Sequence, residues 1–557
     1  MIRKMQDHYK VIIAGGGING CGIARDLALR NIDCLLVEKK DFSAETSGAS
    51  SGLIHGGAKY LLNDIDVTRL SCLDSGYIKE IAPHLLFRIP FLYTVYKTPQ
   101  RSKLKAKVLL EAVEAYFKAY DAYAPLKKAQ QHTRLTPDDV CALESSFDKK
   151  NLVGGVTFDE WGVDVGRLCI ANVVDAAEQG AHACNHTEIV SVLTEDNTVK
   201  GVVLQDVLTK EIKQVTCDVL INATGPWAPV FGNKFNAQIK LRPTKGIHLV
   251  FDRKLFNMAL VAQAIDGREI FIYPSQNVTI IGTTDDDYFG DLDDQRVTED
   301  EIKYLLDAIE TIFPAIKDAR LIYAYSGVRP TLYERNCYED DLSREHAIID
   351  HEKVDKVSGV FSLVGGKLAS YRIMAQEICD VVAKKLDNNT PCTTHKKFLP
   401  GGDDVPDVKA LALDYDLDPY VCARIVYRHG SRALNILKMM TNNPEGRALV
   451  CSCEPVTKAE IDYVVKNEFV RTLSDVRRRT RFSTGPCQGT NCLIGTAGLL
   501  KSLLPESTAS EYTMMQDFLK EWWWNRACVL GGEQLKQEEL FQAIHFCNNS
   551  LDVFAGE

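Results

Sequence analysis

The chain has 557 residues, 45% of them hydrophobic and 25% charged, which suits an ordinary globular protein of roughly three or four domains. A formal net charge of −10 argues against non-specific nucleic-acid binding. No apolar signal-peptide core opens the sequence, and no apolar run is long enough to cross a bilayer. A cytoplasmic protein is therefore expected, with any membrane association peripheral or through a partner.

Residues 11–14 form a short β-branched run, the pattern of a buried strand, and residues 18–29 follow helical periodicity. Between them Gly15, Gly17 and Gly20 have the G-x-G-x-x-G spacing. Gly15 permits a tight turn, Gly17 lets the backbone approach a pyrophosphate, and Gly20 lets the helix pack on the strand. The helix N-terminus offers that pyrophosphate its N–H groups and positive dipole end. Residues 34–38 read as a second strand ending in Glu38, 18 positions after Gly20, where a carboxylate accepts hydrogen bonds from ribose hydroxyls. This is a Rossmann-type dinucleotide site; the glycines alone do not distinguish FAD from NAD. The later segment "CDVLINATGPWA" holds another buried strand, 219–222, leading into Thr224 and Gly225, as in flavoproteins that return to the cofactor.

Residues 159–183 read as a turn and then a helix resuming after Asp164, with a structural role. Residues 388–408, rich in Pro, Gly, Asn and Asp, read as a linker, and helical patterns continue to 449. Most of the 17 cysteines are scattered and read as small buried hydrophobes. Two close pairs differ: Cys451-x-Cys453 and, 33 residues later, Cys487-x4-Cys492. Helices at 457–466 and 473–479 between them would bring the two loops together. Paired thiolates suit soft metals, and three readings stand: a [2Fe–2S] cluster, a zinc ion, or unliganded thiols. The basic run 477–481 either offsets a cluster's negative charge or forms a solvated helix face. In the tail, Trp522, Trp523 and Trp524 cannot share one helix face; core packing is favoured over a partner or lipid contact. A final amphipathic helix closes the chain.

The segment "ETSGASSGLIHGGAKYL", 45–61, resembles the flavin-proximal segment of FAD-dependent glycerol-3-phosphate dehydrogenases. "IGTTDDDY", "YSGVRP" and "GGKLASYR" follow in that family's order, over about the first 390 residues. The resemblance implies an α/β, D-amino-acid-oxidase-like fold: a Rossmann-type FAD-binding domain interleaved with an antiparallel-sheet substrate domain, over 1–395. A linker and helical cap (396–447), a cysteine domain (448–500) and a helical tail (501–557) would follow. It further implies FAD held by Gly15, Gly17, Gly20, Glu38, Thr46, Ser47, Ser51, Gly52, Thr224, Gly225, Gly365 and Gly366. The implied substrate is sn-glycerol 3-phosphate, bound by Lys59, Tyr60, Arg329, Lys367 and Arg372. The implied catalytic residues are His55, Arg329 and Lys367, with neutral His55 the simplest base and the C2 hydride passing to flavin. Lys59 stands where the family commonly has Arg, and Ala369 where it often has Thr. A related dehydrogenase or oxidase acting on a 2-hydroxy acid or amino acid is the alternative.

The cysteine spacing, with "CQG" at Cys487, resembles the bacterioferritin-associated-ferredoxin-like domain. That implies a [2Fe–2S] cluster on Cys451, Cys453, Cys487 and Cys492. A chain with both parts resembles the catalytic component of the family's anaerobic respiratory branch. Companion subunits B and C of that branch would link it to a membrane quinone at the inner face of the cell membrane.

Overall fold

The computed structural model describes residues 5–61, 64–98, 101–147, 149–310, 312–338, 342–505, 509–548 and 551, the side chains of Lys59 and Asn548 excepted. The β-branched run at 11–14 lies at the centre of the first sheet, in the strand His8–Ala14. Its parallel neighbours are Cys34–Val37 and Ile212–Asn222. The order is His346–Asp350, Val360–Gly365, Ile212–Asn222, His8–Ala14, Cys34–Val37, His182–Cys184. Thr187–Glu195 and Thr198–Asp206 extend Ile212–Asn222 as an antiparallel flap.

Both faces of the central strand are covered, as a parallel sheet requires. Val11 and Ile13 face helices Ile18–Leu29, Val165–Glu178 and Tyr371–Lys385, whereas Ile12 and Ala14 face a second core around Phe231 and Phe235. Central strands His8–Ala14 and Ile212–Asn222 end side by side, so the loops carrying Gly15 and Thr224 open at one edge.

The second sheet has ten strands, antiparallel in all pairings but one. Leu86–Tyr96 pairs with Leu152–Val163, and Thr244–Phe251 lies between Val278–Gly282 and Leu321–Arg329. Residues 159–163 are thus strand, not the turn expected, because Leu86 to Pro90 provide a ladder for them. The helix begins at Val165, capped by the Asp164 carboxylate, which accepts from the Arg167 N–H. The chain passes repeatedly between the two sheets, giving the interleaved architecture.

Beyond residue 408 the protein is helical apart from the short hairpin of Leu449–Cys451 and Val456–Thr457, and one hydrophobic core joins Ile425, Leu437, Val464, Val476, Leu500, Phe518 and Trp522. This core runs across positions 447 and 500, the boundaries that the resemblance implied. The linker is not free: the Arg25 guanidinium donates to the carbonyls of Thr394 (3.1 Å) and Lys397 (2.7 Å). Trp522 is 3% exposed and Trp524 44%, the latter under the Arg296 guanidinium at 4.4 Å. No helix among the described residues is long and apolar enough to cross a membrane.

The helical unit docks on the nucleotide-binding sheet through buried ion pairs. Arg479, fully buried, donates to both oxygens of Asp41 at 2.5 and 2.8 Å. Arg478 approaches the same carboxylate, Arg471 pairs with Asp206 at 2.9 Å, and Arg167 pairs with Glu468 at 2.5 Å. Arg481 meets Glu454 at 3.3 Å, and Arg477 donates to the Tyr323 hydroxyl at 3.0 Å. The basic run is therefore not a solvated face. Its charges face Asp41 and Asp164 across the interface and Glu454 and Glu521 within the helical unit.

Candidate active site and cysteine centre

A cavity of about 1480 Å³ joins the glycine turn to the second sheet. Gly15 has φ +104°, and a Cβ there would lie 2.6 Å from the Ala223 carbonyl oxygen. Gly17 caps the following helix. Gly20 does not line the cavity. A Cβ on it would lie 1.8 Å from the Gly15 carbonyl oxygen, so it permits the packing of helix on turn. The Glu38 carboxylate accepts from the Gly16 and Lys40 N–H groups at 2.6 and 2.7 Å and faces the cavity.

The flavin-proximal segment wraps the same space. Ser47 Oγ accepts from the Ile18 N–H (2.9 Å), Thr46 donates to the Val328 carbonyl (2.7 Å), and Ser51 Oγ lies 2.8 Å from His248 Nε2. Gly52, Thr224, Gly225, Gly365 and Gly366 also line it. Gly365 and Gly366 both have positive φ, at +77° and +79°.

At the substrate-sheet end, cations gather round Tyr60. Lys367 Nζ lies 4.7 Å from the Tyr60 ring centroid and, among the described residues, has no hydrogen-bond partner. Burial lowers its pKa to about 8. Arg329 donates to Asp285 (2.9 Å) and Thr283 (3.0 Å). Arg344 reaches the other Asp285 oxygen at 2.5 Å and also bonds the Tyr60 hydroxyl. Burial works against the Asp285 carboxylate, but Arg329 and Arg344 outweigh it and hold its pKa below the usual range. Two guanidiniums on one carboxylate leave net positive charge facing the cavity.

His55 also lines the cavity, and burial, then Lys367 and Lys127, lower its pKa to about 3. The ring is therefore neutral near pH 7. Its Nδ1 accepts from the Gly57 N–H at 3.1 Å, so the ring proton sits on Nε2. That tautomer presents an N–H donor toward the cavity, whereas the base expected from the sequence needs a free ring nitrogen there.

Arg372 is not at this site. It donates to Asp74 (2.5 Å), Gln376 (2.8 Å) and Thr394 (3.1 Å), tying its helix to Ile65–Ile81 and the linker. The Lys59 side chain lies outside the described residues. Arg344, Asp285, His248 and Glu160, all in the cavity wall, went unnoticed in the sequence. Arg344 stands in no motif; its role appears only when Asp285 is seen between it and Arg329.

The four paired cysteines come together on the helical unit. Their thiols neighbour one another in the order Cys453, Cys487, Cys492, Cys451. Backbone N–H groups of Glu454 and Ser483 point at Cys451, and those of Gly489 and Asn491 at Cys487. The Cys492 thiol, then these amides, lower the pKa of Cys451 to about 7 and of Cys487 to about 5. Gly485 lacks a side chain where one would lie 2.4 Å from Cys453 Cβ. The Trp522 indole N–H closes the loop by donating to the Gln488 carbonyl at 2.5 Å. Such a donor set suits a thiolate-bound metal group.

A family model described as FAD dependent oxidoreductase matches residues 10–367. One described as the C-terminal domain of alpha-glycerophosphate oxidase matches 392–509. A component of the anaerobic glycerol-3-phosphate dehydrogenase of Escherichia coli (strain K12) is 32% identical over 542 residues, 96% of each chain. The chain belongs to the FAD-dependent glycerol-3-phosphate dehydrogenase family. Within that family, the aerobic glycerol-3-phosphate dehydrogenase of Staphylococcus aureus (strain USA300) is 32% identical, covering 76% of this chain and 78% of its own. The solved structure of glycerol-3-phosphate dehydrogenase from Bacillus halodurans, complexed with FAD, shares the fold. It has a TM-score of 0.71 and 24% identity over 95% of this chain and 97% of that one.

The glycine cradle and Glu38 fit the dinucleotide of this FAD-dependent dehydrogenase. Gly20→Ala tests the cradle. With a backbone oxygen 1.8 Å from the new methyl, the helix must shift. A loss of roughly 3 kcal/mol is expected, with a lower flavin-to-protein absorbance ratio. An unchanged melting temperature and full flavin content would remove Gly20 from this role.

Proposed function

We propose that this chain oxidises sn-glycerol 3-phosphate to dihydroxyacetone phosphate and passes the electrons toward a membrane quinone through iron–sulfur centres and companion subunits. The observation that carries the substrate reading is the cluster of Arg329, Arg344 and Lys367 around Tyr60 in the cavity that also holds the glycine cradle. A dianionic phosphate beside a secondary alcohol needs such a site. Arg329 and Arg344 are planar forks suited to phosphate oxygens, and Asp285 fixes both in place.

FAD, held by the glycine turn, Glu38 and the 46–52 segment, supplies the hydride acceptor when bound. Lys367 is the base in this reading: with a pKa of about 8 it is partly neutral near neutral pH and, among the described residues, makes no competing hydrogen bond. His55 Nε2–H steadies the substrate oxygen as its proton leaves. The aromatic wall of Phe91, Phe158 and Phe271 excludes water from the same space.

Cys451, Cys453, Cys487 and Cys492 would hold a [2Fe–2S] cluster, which supplies one-electron chemistry. A single tetrahedral zinc would draw the four sulfurs to within about 4 Å of one another. The spacing into two pairs, Cys451-x-Cys453 and Cys487-x4-Cys492, offers each of two irons two thiolates, which supports the two-iron reading. The test is anaerobic titration with glycerol 3-phosphate, following flavin absorbance and the electron paramagnetic resonance of the iron together. Flavin bleaching followed by a reduced-cluster signal is expected. Bleaching by a 2-hydroxy acid or amino acid but not by glycerol 3-phosphate would overturn the substrate, and metal analysis showing zinc would overturn the cluster.

A further inference from the structure

The turn that carries His55 is held from behind by a buried charged network that no sequence motif marks. Glu160, on Leu152–Val163, is 3% exposed yet faces the cavity. Its Oε2 accepts from the Gly56 N–H at 3.0 Å and lies 3.3 Å from Lys127 Nζ. Its Oε1 accepts from the Tyr120 hydroxyl at 2.9 Å. Lys127 is 2% exposed, donates to the Asp159 carbonyl at 2.5 Å and lies 4.3 Å from the Tyr120 ring centroid.

The rest of the turn is pinned as firmly. The Cys72 thiol approaches the Gly56 carbonyl at 3.5 Å, and the Thr68 hydroxyl donates to the Gly57 carbonyl at 3.2 Å. The glycine pair is what admits this network. A Cβ on Gly56 would lie 2.2 Å from the Tyr120 hydroxyl, and one on Gly57 2.9 Å from Lys367 Nζ. Glu160 and Lys127 thus act on both sides of the reacting end, through the peptide on one side and through charge on the other.

We propose that Glu160 and Lys127 form a positioning pair that orients the His55–Gly57 turn beside Lys367. This rests on the reading of Lys367 as the proton acceptor. The charged or titratable groups facing Lys367 are Asp64, Cys72, Glu160, Arg344, Tyr60 and His55. Of these, Glu160 is the buried carboxylate, and its negative charge favours the ammonium form. Lys127 in turn opposes protonation of His55. A buried ion pair adds little stability over apolar replacements of the same size, so its presence in a cavity wall calls for another reason.

The test uses the FAD-loaded full chain. Glu160→Gln keeps an oxygen for the Gly56 N–H and removes the charge. Stopped-flow reduction by glycerol 3-phosphate across pH is expected to show its rising limb displaced to lower pH by about one unit. The plateau rate is expected to fall about tenfold as the turn loosens. The double variant Glu160→Gln/Lys127→Met, which restores neutrality, should be no slower than Glu160→Gln alone. A pH titration of the oxidised flavin spectrum without substrate should show the same displacement. That measurement separates failure of this proposal from failure of the substrate reading, which glycerol 3-phosphate alone tests. A limb and spectral transition that stay in place, with rates within twofold of the parent, would overturn the proposal. Loss of FAD from both variants would overturn it too, because the pair would then serve the fold.

Discussion

Lys367→Met is expected to slow flavin reduction by glycerol 3-phosphate by about 10²–10⁴-fold, the usual contribution of a positioned proton acceptor. Methionine keeps the length and apolar contacts of the stem and removes only the amine. The FAD cradle, which lies along the cavity at Gly15 and Glu38, should keep its cofactor. Rapid-mixing absorbance under anaerobic conditions reads the rate, and the flavin-to-protein ratio reads occupancy. The pH dependence has a definite sign. Burial places the lysine pKa at about 8, so the free amine accumulates as pH rises through that value. Parent reduction at saturating substrate should climb through this region, and the Met variant should be flat there. His55 adds no limb between pH 5 and 8, because burial holds its pKa at about 3. A Met variant that retains the limb and reduces flavin within tenfold of the parent would exclude Lys367 as base.

Arg479→Met is expected to destabilise the protein by about 3–5 kcal/mol, the cost of leaving a buried charge without its partner. Asp41 is 1% exposed and Arg479 fully buried, so water cannot replace the lost bonds without opening the interface. Arg478 also approaches Asp41, at 3.4 Å, and should recover part of the loss. Denaturant unfolding followed by tryptophan emission reads the change, since Trp522 lies in the core of the docked unit. The companion variant Asp41→Asn/Arg479→Met, which buries no lone charge, should recover most of the stability. A loss under 1 kcal/mol in Arg479→Met would mean that the interface does not depend on this pair.

What could be read from the sequence was local. The strand, glycine turn and helix at 8–29 were legible because each residue's reason lies within a few positions: a close peptide, a helix start, a buried run. The cysteine pairs were legible for the same reason, as were the helices between them, which form at Lys458–Asn467 and Leu473–Thr480. The failures were of long range. Arg477 to Arg481 read as a cluster-facing charge or a solvated face because Asp41, the partner of Arg479, lies 438 positions away. Arg372 sat beside the Gly365–Lys367 segment in sequence, but the start of its helix turns it toward Asp74. Glu160 fell in a stretch read as a turn, and its neighbour across the sheet was needed to make that stretch a strand. The role of His55 changed for a single hydrogen bond, from a glycine amide two residues on.

The bond between Asp41 and Arg479 also orders the making of the protein. Asp41 follows Glu38 by three positions and precedes Arg479 by 438. Its charge finds its buried partner only after residue 479 has been synthesised. Until then that carboxylate has the Asn185 amide but not its guanidinium partners. Arrival of the cysteine-bearing helices therefore completes the oldest part of the chain as well as the newest. A polypeptide cut before residue 478 would leave Asp41 without the Arg478 and Arg479 guanidiniums.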